Sequence, residues 1–339
     1  MAEQTDFNQW FKLDQLIWSC AISQAVHVAV ELGLPELLQL EAKSAEEIAT
    51  LTGSDAWALD AVLHALAAFD VLKMDATERF SLSEMGALLL KSGPALPGEA
   101  GAFFETIYRS LGALTHAVRT GEKAFDRAFG ISFYEYLSRE AEVGRFFNEQ
   151  MVRNIPARYA GISSIFDFSR VSRVVDIGGG EGGLLLHLLS QRPHLKAMLF
   201  DLPGVVEKAG PRFKEAGLCD RCEIVGGSFL ESVPEGGDLY MLAAVLNNLR
   251  DSDAAQLFAN CRASMGPGTR LLILEPLRNF GERLTQWAAL VGLGVMAQRG
   301  GRTRTEAQVR KLLVEARFEL FEVRHYQSAP RTVIEAVPI

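Results

Sequence analysis

The sequence predicts an α/β fold, with a mostly parallel sheet in the C-terminal half of a 339-residue chain. The apolar residues Val174 and Val175 are followed by Asp176, by Ile177 and by five glycines within 178–183, after which leucines recur at helical spacing. Strand, glycine-rich turn and helix in this order are typical of the unit that opens a parallel sheet. A second apolar run ends at Asp201, and further strands are predicted before Leu246 and Glu275.

The glycine-rich turn predicts a site for an adenosine-type cofactor. Gly178 and Gly180 would let the backbone approach a ligand where any Cβ atom would collide. Asp201 ends the next strand and can accept two hydrogen bonds from a ribose diol. The glycine spacing also matches a dinucleotide fingerprint. However, Asp176, two residues before Gly178, favours S-adenosylmethionine, because its carboxylate can hold the amino group of a methionine moiety.

The N-terminal region is predicted to be helical and to form an interface. Residues 7–40 are apolar around most of the helix circumference, so a second copy of the chain is the simplest cover for them. Residues 44–90 have the pattern of a winged helix. In that segment Ser44 and Glu47 form a capping box, and a small hairpin follows the second helix.

Two domains are expected from the chain length and from this pattern. Further helices are predicted at 103–118 and 143–165, before the cofactor-binding sheet begins. We therefore expect an N-terminal domain, 1–165, that dimerises and also caps the active site. Residues 166–339 are then the catalytic domain that binds the cofactor.

Composition excludes several classes of partner. The net charge is −8, and the winged-helix-like segment 44–90 carries eight acids and two bases, so nucleic acid and anionic membranes are not expected as partners. The chain has no apolar run long enough to span a membrane and no signal pattern, which favours a cytoplasmic protein. Cys219 and Cys222 form a lone CxxC pair without further ligands, so no metal site is expected.

At this point the chain resembles the class I S-adenosylmethionine-dependent methyltransferases. More narrowly, it resembles the two-domain small-molecule O-methyltransferase family of plant caffeate and hydroxyindole enzymes and their bacterial relatives. The motifs that carry this resemblance are Phe146–Met151, Phe200–Pro203, Gly226–Glu231 and Gly300–Glu306. It implies a Rossmann-like, seven-stranded catalytic domain behind a helical, winged-helix dimerisation domain. It also implies a homodimer that converts S-adenosyl-L-methionine to S-adenosyl-L-homocysteine.

The resemblance also assigns site residues. For the cofactor it implies Asp176, Gly178, Gly180, Asp201, Leu202, Ser228, Phe229 and Ala243. The last three depart from the family pattern, which has an Asp-Met pair at the first two and a lysine at the third. For the substrate, the aromatic and pocket-lining candidates are Tyr108, Phe133, Phe147, Asn148, Met151 and Trp287.

The family pattern breaks where the catalytic base should be. The family has a histidine that takes the proton from the substrate hydroxyl, and this chain has Asn247 instead. A family carboxylate is replaced by Thr303, whereas Glu275 persists among the acidic helpers. An amide cannot accept a proton near neutral pH, so Asn247 is expected to orient the substrate. His116 and Glu275 are the candidate surrogate bases.

Without a catalytic base, several kinds of methyl acceptor remain possible. A thioether needs no base, so our leading hypothesis is S-methylation of 4-methylthio-2-hydroxybutyrate, as in a bacterial branch of the family that makes dimethylsulfoniopropionate. The alternative is O- or C-methylation of an aromatic secondary metabolite, and a third possibility is a repurposed methyltransferase fold. A regulator that senses the cofactor is disfavoured by the acidic winged helix. A substrate carboxylate would call for an arginine, and the candidates are Arg109, Arg153 and Arg299.

Overall fold

Two compact units make up the chain, Met1–Thr106 and Ile107–Ile339. Each unit has its own hydrophobic core. A computed structural model describes residues 2–91, 101–153, 155, 159, 161–278, 281–325 and 332–339, and the backbone alone at 2–6, 101–102, 153, 163, 281–285 and 287.

The first unit consists of helices and a small hairpin. Its elements are the helices Ala2–Glu31, Leu34–Leu37, Ala45–Thr52 and Ala56–Ala68, and the antiparallel strands β1 (Leu72–Met74) and β2 (Phe80–Leu82). The capping box is present, since Ser44 accepts a hydrogen bond from the Glu47 N–H and Glu47 accepts one from the Ser44 N–H. The predicted helix over 7–40 is interrupted at Gly33, which has a φ of 65° and is followed by a proline at the start of the next helix.

Among its described side chains, the N-terminal half of the first helix is uncovered around most of its circumference. Its C-terminal part packs into the core of the unit through Ala25 and Ala29. Its N-terminal part exposes a run of large apolar side chains, namely Phe7, Trp10, Phe11, Leu13, Leu16, Ile17 and Trp18.

In the second unit, helices surround a sheet. Its helices are Leu114–Thr120, Ala124–Phe129, Phe133–Arg139, Ala141–Arg153, Ile162–Ile165, Gly183–Gln191, Pro203–Val206, Ala209–Glu215, Asp251–Ser264, Gly281–Arg299 and Glu306–Glu315, while Gly101–Gly112 crosses the division between the units. The helix predicted over 103–118 is broken at Ala113, whose N–H bonds to the Ser110 carbonyl in a turn.

Seven strands form the sheet, as expected. They are β3 (Arg173–Ile177), β4 (Lys196–Asp201), β5 (Cys222–Gly226), β6 (Leu239–Ala243), β7 (Arg270–Glu275), β8 (Phe318–His325) and β9 (Thr332–Pro338). The order is β5-β4-β3-β6-β7-β9-β8. The first five strands are parallel, and β9 and β8 add an antiparallel hairpin at the edge. Strand order reverses beside β3, and in such sheets ligands bind at the carboxyl ends of the strands at this point.

The division between the units lies earlier than the expected domain boundary. We expected the domains to meet at residue 165, whereas the contacts place the division after Thr106. The helices that follow belong with the sheet unit because they pack on its own elements. For example, helix Ala124–Phe129 packs against helix Gly281–Arg299. The functional division into 1–165 and 166–339 stays a prediction. Among the described residues, no helix has the length and apolar character needed to cross a membrane.

Candidate cofactor and methyl-acceptor site

The glycine turn after β3 is held by the neighbouring strand. The N–H of Gly178 donates to the carbonyl of Phe200 at 2.7 Å, which ties the turn to the end of β4. Gly178, Gly180 and Gly182 all have positive φ, a region that other residues adopt only with strain. The sequence needs glycine here because of backbone conformation as well as space.

The space available for a side chain differs sharply from one glycine of this turn to the next. A Cβ atom at Gly178 would lie 2.9 Å from the Val245 side chain, and one at Gly182 would lie 2.5 Å from the Phe213 ring. At Gly180, by contrast, a Cβ atom would meet nothing within 4 Å. The middle of the turn therefore faces open space, where a ligand can approach the backbone.

Asp201 lies beside the open space at Gly180. One carboxylate oxygen accepts a hydrogen bond from the Gly180 N–H at 2.8 Å, and the other accepts one from the Leu202 N–H at 2.7 Å. Burial raises the pKa of Asp201 above its ordinary value, while these two hydrogen bonds act in the opposite direction. Each oxygen keeps a second lone pair, so the fixed carboxylate can still accept both hydroxyls of a ribose.

Asp176 is the most unusual group at the site. Its side chain is 1% exposed, and neither carboxyl oxygen has a hydrogen-bond partner in the described part of the chain. Burial, and then the nearby charge of Asp201, raise the pKa of Asp176 to about 7. A buried, unpaired carboxyl group is costly. A cationic amino group would offset that cost, so the residues present fit S-adenosylmethionine.

The remaining cofactor candidates line the same end of the sheet. The Phe229 ring lies near the turn, since a Cβ atom at Gly178 would be 3.6 Å from it. Ser228 begins a turn and accepts a hydrogen bond from the Leu230 N–H at 3.3 Å. Ala243 is the last residue of β6, and Leu202 is exposed beside Asp201. Their contacts with a cofactor stay predictions.

Asn247 lies in a short 3₁₀ turn, Leu246–Asn248, that follows β6. The chain enters this turn through Ala244, which has a φ of 59°. Asn247 is 8% exposed, and its Oδ1 atom has no partner among the described residues. Val245 packs next to Gly178. Asn247, where the family resemblance implies a basic histidine, is thus a buried amide, close in the chain to a residue that contacts the glycine turn.

Glu275 supports this turn. The residue is 2% exposed, and one carboxylate oxygen accepts a hydrogen bond from the Leu246 N–H at 2.7 Å. The turn is also fixed by Arg304, a residue to which we gave no role from the sequence. Its buried guanidinium donates to the carbonyls of Leu246 and Leu249 and pairs with Asp251. The only sequence signal for Arg304 was its place within the motif Gly300–Glu306.

A backbone contact fixes the turn from the other side. A Cβ atom at Gly301 would lie 2.2 Å from the Asn247 carbonyl oxygen and 2.5 Å from the backbone of Asn248. No side chain can be accommodated at so short a distance, so the Gly300–Glu306 motif needs glycine where it passes Asn247. Thr303 is buried in the same segment.

His116 is engaged elsewhere. Its Nε2 atom lies 2.7 Å from a carboxylate oxygen of Glu122, and both side chains are partly exposed. Whether this histidine reaches an acceptor stays a prediction.

Aromatic substrate candidates lie in one cluster. The rings of Phe133 and Phe147 are 5.5 Å apart in an edge-to-face arrangement, and the Arg299 guanidinium lies 5.0 Å from the first and 5.4 Å from the second. Asn148 is half-buried on the helix that carries Phe147, and Met151 is more exposed, one turn further along. Tyr108 is exposed. The side chains of Trp287 and Arg153 lie outside the described residues.

Comparison with known families agrees with this arrangement. A family model for the O-methyltransferase domain matches residues 111–319, and one for the O-methyltransferase dimerisation domain matches residues 15–92. The chain belongs to the O-methyltransferase family. It is an S-adenosylmethionine-dependent methyltransferase with a Rossmann-like catalytic domain and an N-terminal dimerisation domain.

Individual relatives cover nearly the whole chain. Phenazine O-methyltransferase PhzM of Lysobacter antibioticus is 33% identical over 96% of this chain and 95% of its own length. The mitomycin biosynthesis 6-O-methyltransferase of Streptomyces lavendulae is 35% identical over 86% of this chain and 84% of its own. A crystal structure of the O-methyltransferase NcsB1 of neocarzinostatin biosynthesis has a TM-score of 0.82 and 28% identity, and covers 94% of this chain and 96% of its own. That structure holds S-adenosylmethionine and 2-hydroxy-5-methyl naphthoic acid.

Proposed function

We propose that this enzyme methylates an oxygen of a small aromatic secondary metabolite, and that the hydroxyl concerned ionises without help from a protein base. The first part is supported by the relatives, whose names describe O-methylation of a phenazine and in mitomycin biosynthesis, and by the hydroxynaphthoate bound to NcsB1. This departs from our leading hypothesis from the sequence, the thioether, and favours the alternative.

The second part depends on one observation, the buried amide of Asn247 at the position of the family's base. Glu275 is a poor replacement, because it is 2% exposed and already accepts a hydrogen bond from the Leu246 N–H. General base catalysis contributes about 10²- to 10⁴-fold in rate. A phenol that is neutral at pH 7 would lose this contribution, whereas an acceptor that is already an oxyanion would not.

The residues of the site then have separate roles. S-Adenosylmethionine, when bound, supplies an electrophilic methyl group, and its transfer leaves neutral S-adenosylhomocysteine. Asp176 would hold the amino group of the cofactor and Asp201 its ribose. The Nδ2 group of Asn247 would donate a hydrogen bond to the ionised acceptor oxygen and so orient it. Catalysis is then chiefly positioning of the oxygen in line with the methyl group.

A thioether is the second candidate acceptor, because the same observation at Asn247 favours it. A thioether has no proton to lose, so the buried amide is no disadvantage for S-methylation of 4-methylthio-2-hydroxybutyrate. The relatives named above act on oxygen, and the oxygen acceptor is therefore proposed first.

We also propose that the enzyme is a homodimer that uses the exposed apolar face of the first helix. The dimerisation-domain match over 15–92 includes part of this face, for example Leu16 and Trp18. A cytoplasmic location is proposed with it. The four free cysteines, two of them buried, are consistent with a reducing compartment.

The acceptor can be tested with a panel of small molecules. Purified enzyme and S-adenosylmethionine would be incubated with a hydroxyphenazine, a hydroxynaphthoate, simple phenols and 4-methylthio-2-hydroxybutyrate, and S-adenosylhomocysteine would be quantified by mass spectrometry. We expect product with the acidic hydroxyaromatics and little with simple phenols. Product with the methylthio acid alone would refute O-methylation and favour the thioether.

A further inference from the structure

Arg299 is a cation near Asn247 that has no anion beside it among the described residues. Arg299 ends the helix Gly281–Arg299, and its Nη1 group donates a hydrogen bond to Asn248 Oδ1 at 2.8 Å. Its Nε atom is buried and has no hydrogen-bond partner in the described part of the chain. Among the same residues, no Asp or Glu oxygen lies within 4.0 Å of the guanidinium. A partly buried charge in this state is costly unless something pairs with it.

Two aromatic rings surround this cation. The guanidinium carbon lies 5.0 Å from the centroid of Phe133 and 5.4 Å from that of Phe147, distances at which cation–π attraction operates. Such contacts orient the guanidinium, but they leave its Nε–H without a hydrogen-bond partner among the described residues. Phe147 lies next to Asn148 on the helix Ala141–Arg153, which the family resemblance assigns to the substrate.

The position of Arg299 relative to Asn247 is fixed by the backbone. Arg299 is followed by Gly300, with a φ of 74°, and by Gly301, where a Cβ atom would lie 2.2 Å from the Asn247 carbonyl oxygen. Asn248 joins the two by its side-chain bond to Arg299. The Arg299 Nε–H, which has no hydrogen-bond partner among the described residues, therefore lies in the same small region as Asn247.

Neighbouring arginines are already engaged. Arg109 lies 4.2 Å from the Phe129 ring centroid and donates to the Ala128 carbonyl, Arg302 pairs with Asp251, and Arg304 holds the turn carbonyls. Of the two candidate arginines whose side chains the structure describes, Arg109 and Arg299, Arg299 is thus the one that combines an unused donor with a place beside Asn247.

We propose that Arg299 binds the carboxylate of the methyl acceptor, and that the preferred substrates are aromatic hydroxy acids. This inference rests on the proposed function, because it assumes that the acceptor lies at Asn247. The planar guanidinium suits a carboxylate, and the rings of Phe133 and Phe147 provide apolar surface beside the charged pair. Arg299 acts as a specificity residue that selects the acceptor, and it takes no part in the transfer of the methyl group.

A matched pair of acceptors tests this role. The probes are 6-hydroxy-2-naphthoate and 2-naphthol, which differ only in a carboxylate too far from the hydroxyl to form an internal hydrogen bond with it. For the wild-type enzyme we expect a much higher kcat/KM with the acid. Arg299→Met should lower kcat/KM for the acid by about 10- to 100-fold, the range for losing a hydrogen bond to a charged group, and leave 2-naphthol nearly unchanged. Arg299→Lys should keep part of the preference.

Controls separate this role from a structural one. Arg310→Met removes an exposed arginine that pairs with Glu306 one helical turn away, and should leave both acceptors unaffected. Affinity for S-adenosylhomocysteine, measured by calorimetry, should be the same in all variants if they are folded. An equal loss for both acceptors in Arg299→Met would overturn the proposal and indicate that Arg299 only supports Asn248. Absence of product with either acceptor in the wild type would instead refute the proposed function.

Discussion

The raised pKa of Asp176 predicts that cofactor affinity depends on pH below neutrality. Burial and the charge of Asp201 raise this pKa to about 7, so the carboxyl group of the free enzyme is largely neutral at pH 6 and half ionised at pH 7. An ammonium group pairs with the carboxylate and not with the neutral acid. The α-amino group of the cofactor stays largely protonated over this range, because such groups have pKa values of about 8.

The size of the effect follows from the ionised fraction. With a pKa of about 7, roughly 9% of Asp176 is ionised at pH 6 and about 50% at pH 7, so the apparent Kd for S-adenosylhomocysteine should be about fivefold higher at pH 6. The direction of the effect is fixed, because affinity for the cofactor is lost as the pH falls through the pKa of Asp176 in the free enzyme. In Asp176→Asn, affinity should be about 10- to 100-fold weaker, and any remaining pH dependence should match that of a ligand without the amino acid part.

Calorimetric titration with adenosine and with S-adenosylhomocysteine separates the contribution of Asp176 from that of Asp201. Adenosine carries the ribose that Asp201 would bind but lacks the amino acid part, so it reports any pH effect at Asp201, whose pKa is also raised by burial. The difference between the two ligands then belongs to Asp176. If the wild type shows the same pH dependence for adenosine and S-adenosylhomocysteine, the assignment of Asp176 to the amino group is wrong.

Three further predictions concern the turn at Asn247 and the dimer. Gly301→Ala should destabilise the protein by about 1–3 kcal/mol in urea denaturation, because the new Cβ atom would meet the Asn247 carbonyl, whereas Gly294→Ala, with open space in its helix, should stabilise it by about 0.5–1 kcal/mol. Equal changes in the free energy of unfolding for the two variants would contradict the close contact between residue 301 and the Asn247 carbonyl. Asn247→His should raise kcat/KM for simple phenols at least about tenfold by supplying a base, with little gain for hydroxynaphthoates; no gain for phenols would argue against a missing base. Leu16→Lys should give monomers in light scattering, whereas Leu40→Lys, also exposed but outside the first helix, should leave the dimer intact. A Leu16→Lys variant that stays dimeric would place the interface elsewhere.

Local sequence signals predicted several local features of the structure well. The glycine turn, Asp201 at the end of β4 and the capping box of Ser44 are all present, because each depends on residues within a few positions along the chain. The exposed apolar face of the first helix is also visible in the sequence. Helix ends were less well predicted where a single residue decides them, as Gly33 does between the first two helices.

The acceptor end could be predicted only in part, because it is made of long-range contacts. The absence of a basic side chain at Asn247 is evident from the sequence, but its burial is not. The roles of Gly301 and Arg304 depend on the segment after helix Gly281–Arg299 lying against the turn after β6, some fifty residues earlier in the chain. Nor does spacing distinguish Arg299 from Arg109, since the distinction lies in which partners each guanidinium has.

The central claim, that the acceptor oxygen arrives already ionised, is tested most directly by pH–rate profiles across a series of hydroxyaromatics with graded pKa values. At saturating S-adenosylmethionine, where Asp176 is held in its ionised form, the apparent pKa in kcat/KM should follow the pKa of each acceptor with a slope near one. A single apparent pKa shared by all acceptors would contradict the claim, because it would reveal a base that belongs to the enzyme.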